Sequence, residues 1–312
     1  MEQKFLDSGL AGVVPPSLKP GDGVAIVSPA SHIDSTLIDS AVAALAAEGY
    51  SPVVGAHARG CSGSFSADRE GRLQDLRDAI LDESVRAIIC SRGGYGAVHL
   101  LEDLDRIDSQ YFSKWLVGFS DITALHALWL RKGYASLHAA MAKYIGRREQ
   151  FPCFRDEMSM LAWDGDLSRF DRHYGPHRFN CRGECRGRVV GGNLAVLGGI
   201  IGTPFDPVRP GDILFIEDIA EPIYKVERIL WQLRLRGVFG RLGGLMVGQF
   251  TEYRPSADHP DMETMIDRFT AGYDFPRAYG IPSGHIEENA PLLMGAEAHL
   301  RVDASGVCLS YV

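Results

Sequence analysis

The feature that most limits the fold is the alternation, through the first half of the chain, of short, continuously apolar runs with amphipathic stretches. GDGVAIVSPAS (21–31) reads as a turn, a buried strand and a loop stopped by proline. TLIDSAVAALAAE (36–48) follows at helical spacing and ends at Gly49. SPVVGA (51–56) pairs in the same way with DREGRLQDLRDAILDES (68–84), and VRAIICSRGG (85–94) with AVHLLEDLD (97–105). WLVGFS (115–120) begins a further pair. Strands that lack polar alternation are buried on both faces, and strand-helix repeats make such strands parallel. The expected class is therefore α/β, a parallel sheet with helices on both sides.

Between 147 and 187 the pattern breaks into turn formers without sustained periodicity. Beyond it come the glycine-rich GGNLAVLGGIIGTPF (191–205), a strand at DILFIED (212–218), a helix at PIYKVERILWQLRLRG (222–237) and a strand at GLMVGQF (244–250). Pro222 suits the first helical turn and Gly237 the end of that helix. A chain of 312 residues, at roughly 150 residues per domain, suggests two domains. The expected division is 1–146, a linker or crossover at 147–187, and 188–312. KPGDGVAIVS (19–28) and RPGDILFIED (209–218) share a turn before an apolar strand, which reads as common turn chemistry and not as a repeat.

A net charge of −8 gives no electrostatic reason to bind nucleic acid or anionic membranes. No apolar run approaches the ~20 residues that span a bilayer, and MEQKFLDSGL at the start does not read as a secretory signal. The cysteines, at 61, 90, 153, 181, 185 and 308, are scattered, and Cys181 with Cys185 lacks a second close pair to complete a zinc site. The expectation is a cytoplasmic protein with reduced thiols and no membrane or nucleic-acid partner.

Candidate chemistry gathers at a few places. SRGGYGAVHLL (91–101) follows a strand and opens a helix, but His99 occupies the third position of a dinucleotide fingerprint. That disfavours a nicotinamide-dependent oxidoreductase. Its glycines suit either a plain tight turn or a cradle of backbone N–H groups for an oxyanion. HYGPH (173–177) cannot hold its two histidines on one helix across Gly175 and Pro176, and H-E-x-x-H is absent, so no metal is expected. In LVGFSDITALH (116–126), Ser120 sits where a strand gives way to a helix. It is read either as an N-cap or as a nucleophile raised on a sharp turn. A serine nucleophile needs a base and a group to orient it. His285 in GIPSGHIEENAPL and Glu217 at the end of an apolar strand are candidates, though each also reads as an ordinary surface or strand-end residue.

Together the motifs GDGVAIVSPAS, SRGGYGAVHLLEDLD, LVGFSDITALH, GGNLAVLGGIIGTPF, ILFIEDIAEPIYKVERILWQL and PSGHIEENAPLLMGAEAHL resemble the LD-carboxypeptidase family of serine peptidases. These blocks occur in the family's order from about residue 20 to 300. The resemblance implies a Rossmann-like first domain, of the class I glutamine amidotransferase type, and a smaller β-rich second domain. It implies a Ser120–His285–Glu217 triad in the cleft between them and no cofactor. It also implies an oxyanion hole from the Asp121 amide and a glycine amide, for which Gly94 is chosen, and commonly a homodimer. Arg92, Tyr95 and Asn193 are the candidate substrate-binding residues, with a helix cap slightly favoured over a cleft-lining role for Asn193. Ile286 departs from the glycine that commonly follows the histidine.

The expected activity is removal of the terminal D-Ala from murein tetrapeptides, so the partner is a peptide ending in a D-amino acid. The alternative is a microcin C-type amidase cutting aminoacyl-nucleotide analogues, for which Trp163 is the nearest aromatic surface. A non-catalytic binder of peptide carboxylates is disfavoured because all three triad positions carry competent residues.

Overall fold

The computed structural model describes residues 10–145, 147, 153–259 and 261–312. In the first region, β1 (Gly23–Val27), α1 (Ser35–Ala47), β2 (Ser51–Val54), α2 (Arg69–Leu81), β3 (Val85–Cys90), β4 (Trp115–Gly118), α3 (Thr123–Arg131) and β5 (Ser136–His138) follow one another. The strands lie in the order β2-β1-β3-β4-β5, all parallel. Every residue of β1 and of β4 is buried, as strands covered on both faces require. Local chemistry sets where helices begin. Asp34 caps α1 by accepting from the Thr36 amide, and Asp68 caps α2 by accepting from Gly71.

The second region contains α4 (Cys153–Leu161), β6 (Arg172–Tyr174), β7 (Gly183–Asn193), α5 (Leu194–Ile200), β8 (Ile213–Ile219), α6 (Ile223–Leu235) and β9 (Gly244–Thr251). It continues through α7 (Met262–Thr270), β10 (Arg277–Ala278), β11 (Leu292–Met294), β12 (Glu297–Asp303) and β13 (Gly306–Tyr311). Its seven-stranded sheet runs β10-β9-β8-β7-β12-β13-β6. The β10-to-β7 half is parallel and the β12-β13-β6 half antiparallel. Pro222 stands at the N-cap of α6, just before its first turn, and Gly237 follows its end at φ 68°.

The stretch expected as a linker contains α4 and β6, and β7 already begins at Gly183. In α4, Phe154, Met158 and Leu161 are buried at helical spacing, but nine residues are too few for the periodicity to stand out. β11 does not join the sheet of its own region. It pairs antiparallel with β5, Leu292 opposite His138 and Met294 opposite Ser136, and becomes the sixth strand of the first sheet. The chain just before β11 is thereby laid across the carboxyl ends of the first sheet.

One buried ion pair secures the start of the second region. Arg188 in β7 donates from Nε and Nη2 to the two carboxylate oxygens of Asp212 at 2.9 and 2.7 Å, and again from Nη2 to the Pro207 carbonyl. Burial pushes the Asp212 carboxyl up and Arg188 opposes that shift. Removing one member leaves the other charged and buried. Arg188→Met is expected to lower unfolding free energy by about 3–5 kcal/mol, read as a reduced urea midpoint at an unchanged slope.

Candidate active site

β4 ends at Gly118, and the chain turns so tightly that Ser120 takes a left-handed backbone, φ 65°, before a short 3-10 turn leads into α3. A non-glycine residue held there costs about 1–3 kcal/mol and persists only where its surroundings enforce it. Ser120 is thus a helix-start residue, but its hydroxyl caps no helix amide. Its Oγ instead lies 3.0 Å from His285 Nε2, and His285 Nδ1 lies 2.7 Å from Glu217 Oε2. The carboxylate can only accept, so Nδ1–H donates to Glu217 and Nε2 is left to accept from the serine. Glu217 is fully buried near the carboxyl end of β8, and the His285 side chain is 12% exposed. The three residues, far apart in sequence, are hydrogen-bonded in the order that a nucleophile, a base and an orienting carboxylate require.

Several contacts hold this chain in place. Gly284, at φ 128°, lies so close to Glu217 that a Cβ there would stand 2.9 Å from Oε2. Asn289 Oδ1 accepts from the Gly284 amide at 2.8 Å and closes the loop that carries His285. The His285 ring meets Phe119 edge-on at 4.9 Å between centroids. Beneath the turn, His126 donates from Nε2 to the Gly118 carbonyl and accepts at Nδ1 from Ser136, and burial lowers its pKa to about 4. Thr123, at the start of α3, accepts from the Asn193 amide at 2.9 Å and ties the serine's helix to β7.

The loop Arg92-Gly93-Gly94 forms the facing wall. A Cβ on Gly93 would fall 2.7 Å from Ser120 Cβ, 2.9 Å from its Oγ and 3.2 Å from the Asp121 nitrogen. Gly93, rather than Gly94, is therefore the glycine in direct contact with the serine; Gly94 lines the cavity and abuts Ser31. The Asp121 carboxylate accepts from the Ala97 amide at 2.8 Å, fixing the far end of the glycine loop to the serine's turn. Arg72, buried in α2, donates to the carbonyls of Pro29 and Gly96 and ties the same loop to the one after β1. Because the Cβ clash at Gly93 is with backbone-fixed atoms, Gly93→Ala must displace the serine. It is expected to lower kcat by about a hundredfold with unchanged far-ultraviolet circular dichroism.

A cavity of about 470 Å³ opens above Ser120. The first region supplies Arg92, Phe119, Met141, Lys143 and Tyr144 to its lining, and the second supplies Ile219, Glu252, Ile286 and Glu287. Most of these stand on loops that follow the carboxyl ends of parallel strands, where open α/β sheets bind ligands. Ser120, Ala220 and Glu252 are the non-glycine residues with left-handed backbone among the described residues; Ser120 and Glu252 line this cleft, and Ala220 follows the lining residue Ile219.

Among the expected substrate-binding residues, only Arg92 lines the cavity. Tyr95 points outward, 58% exposed, and its hydroxyl meets His99 Nε2 at 3.1 Å. Asn193 acts as a cap: Oδ1 accepts from the Val196 amide and Nδ2 donates to Asp218. Burial, and then the Glu217 charge, pushes the Asp218 carboxyl up to about 6. Lys143 and Glu252 were not foreseen. Glu252 follows an apolar strand just as Glu217 does, which was the available signal, whereas AMAKYIG around Lys143 offers none. Among the described residues, no group of three or more histidine, cysteine or acidic side chains is arranged to hold a metal ion, and no helix is long and apolar enough to cross a membrane.

Comparison with known proteins agrees with this layout. The LD-carboxypeptidase N-terminal domain matches residues 24–139 and the LD-carboxypeptidase C-terminal domain residues 186–300. The murein tetrapeptide carboxypeptidase of Pseudomonas aeruginosa is 32% identical over 295 residues, covering 90% of this chain and 94% of the relative. The probable murein peptide carboxypeptidase of Bacillus subtilis is 28% identical over 91% of this chain and 90% of its own. Among solved structures, a muramoyltetrapeptide carboxypeptidase from Oxalobacter formigenes superposes with a TM-score of 0.82 at 27% identity, covering 93% of this chain and 98% of that one. The microcin C7 self-immunity protein MccF shares the fold at a TM-score of 0.82 and 21% identity, covering 96% of this chain and 98% of that one. Fold and relatives together define a peptidase of mixed α/β class with two sheets. The chain belongs to the LD-carboxypeptidase family.

Proposed function

We propose that this protein is a serine LD-carboxypeptidase that removes the terminal D-Ala from murein tetrapeptides, in cytoplasmic recycling of cell-wall peptides. The observation that carries the reading is the hydrogen-bonded chain Ser120–His285–Glu217 at the floor of an open cavity. Ser120 Oγ attacks the carbonyl carbon of the amide between the diamino acid and D-Ala, while His285 Nε2 takes the hydroxyl proton. The oxyanion is met by the Asp121 amide and an amide of the Gly93-Gly94 pair, each such donor being worth about 3 kcal/mol. His285 then delivers its proton to the D-Ala nitrogen, the C–N bond breaks, and an acyl-enzyme on Ser120 remains. Water, deprotonated by the same histidine, hydrolyses the ester. Glu217 keeps the imidazole in the tautomer that accepts from serine and stabilises its charged form.

Cleavage of aminoacyl-nucleotide analogues through the same groups is supported less well, since Trp163 packs elsewhere. Its indole N–H donates to the Pro15 carbonyl and its ring meets Phe170 edge-on. The experiment that separates the two offers L-Ala-γ-D-Glu-diaminopimelate-D-Ala and an aminoacyl sulfamoyl adenosine to the protein in EDTA. Release of D-Ala from the first, with slow or no cleavage of the second, is expected. The reverse preference would overturn the reading.

A further inference from the structure

The charged groups of the cavity are segregated. Arg92 and Lys143 stand on the wall built by the first region, and Glu252 and Glu287 on the wall built by the second. Several other buried cations among the described residues are well partnered. Lys114 donates to the Ala79 and Asp82 carbonyls, Lys132 reaches Asp105, and Arg188 is held by Asp212. The two cavity cations differ. Arg92 spends one N–H on the His32 carbonyl at 3.1 Å. Among the described residues the Lys143 ammonium has only the face of Tyr144, 5.2 Å from the ring centroid. Among the described residues neither forms an ion pair. Burial lowers the Lys143 pKa, and the positive charges of Arg92 and Arg147 lower it further. Two neighbouring cations, partly withdrawn from water and with no ion-pair partner among the described residues, are an arrangement that an incoming anion relieves.

Their mounting fixes where that anion sits. Arg92 immediately precedes Gly93, which touches Ser120, and the Lys143 amide donates to the Ser91 carbonyl at 2.9 Å. Arg92 therefore belongs to the segment that forms the wall facing Ser120, and Lys143 is tied to that segment through its backbone. An arginine fork beside a lysine point charge suits a planar carboxylate.

We propose that Arg92 and Lys143 form the carboxylate-recognition pocket of this cleft and confine cleavage to the residue that bears the free terminal carboxylate. This rests on the proposed carboxypeptidase activity. It adds the element that makes such an enzyme an exopeptidase: an internal peptide presents an amide where the cations require a charge, and leaves them unpaired.

The test measures binding without turnover. Calorimetry on the Ser120→Ala protein compares L-Ala-γ-D-Glu-diaminopimelate-D-Ala with the same peptide ending in a carboxamide, which alters the terminal carboxylate alone. The free acid is expected to bind about 10–100-fold more tightly. Lys143→Met in that background brings the ratio close to one, and Lys143→Arg restores most of it. Arg92→Met provides an independent second variant. Equal binding of acid and amide, no binding of either, or a preference that survives both methionine variants overturns the proposal. Release of D-Ala by the Ser120-containing protein is scored separately. A preserved acid preference without release would refute the hydrolytic reading and leave the carboxylate pocket standing.

Discussion

Ser120→Ala is expected to lower the release of D-Ala from a murein tetrapeptide by about four to six orders of magnitude, while binding of the peptide changes little. The magnitude follows from the role. Without Oγ there is no acyl-enzyme, and only the amide cradle and substrate positioning remain, which in comparable serine hydrolases leaves roughly 10³–10⁴ of acceleration over water. The fold should be unaffected, because the hydroxyl caps no helix and, among the described residues, bonds only to His285. Initial rates measured by mass spectrometry of free D-Ala, with circular dichroism as a check on folding, test it. Undiminished release in the folded variant would remove Ser120 from the mechanism.

Glu217→Gln is expected to lower kcat by about 10³–10⁴ with a smaller change in KM. Glutamine is nearly isosteric, but its NH₂ cannot accept from Nδ1–H. The amide either presents its oxygen and surrenders the negative charge that supports an imidazolium, or presents its NH₂ and forces the proton to Nε2. In the second case the ring faces Ser120 with a donor and no longer accepts the serine proton. Glu217 is fully buried and Gly284 packs against Oε2, so the side chain has little room to find another pose. A fall of less than tenfold would mean that His285 is oriented by the loop alone, through Asn289 and the Phe119 contact.

Much of the first region was legible because its signals are local. The apolar runs of β1, β3 and β4 can be buried only in a covered parallel sheet, and LVGFSDITALH already contains the strand, the sharp turn and the helix that expose Ser120. Glu217 carried a weaker local signal, an acid closing a buried strand. His285 carried almost none. Its loop reads as polar surface, and only the resemblance to the family selected it before the pairing of β11 with β5 showed how it reaches Ser120. That pairing involves a three-residue strand crossing to the other sheet, which no periodicity announces.

Spacing within RGGYG also did not distinguish Gly93 from Gly94. Which of the two meets the serine depends on how the loop packs against Ser31 and Ser120, a tertiary matter. Tyr95 was drawn toward the site by its place in the motif, whereas its side chain serves the loop's outer face; Asn193 caps a helix, the slightly favoured of its two readings. Lys143 and Glu252 were missed for the opposite reason. Each is unremarkable in its own segment and gains meaning only when the two regions close around one cavity.

In the proposed mechanism Ser120 is the nucleophile, activated by His285 and Glu217. Titration with a small fluorophosphonate, followed by peptide mapping, tests it most directly, because the probe reacts with an activated serine whatever the natural substrate is. One phosphonyl group per chain is expected, on Ser120, with D-Ala release falling in proportion to labelling. Labelling at another residue, or full peptidase activity in protein stoichiometrically modified at Ser120, would contradict it.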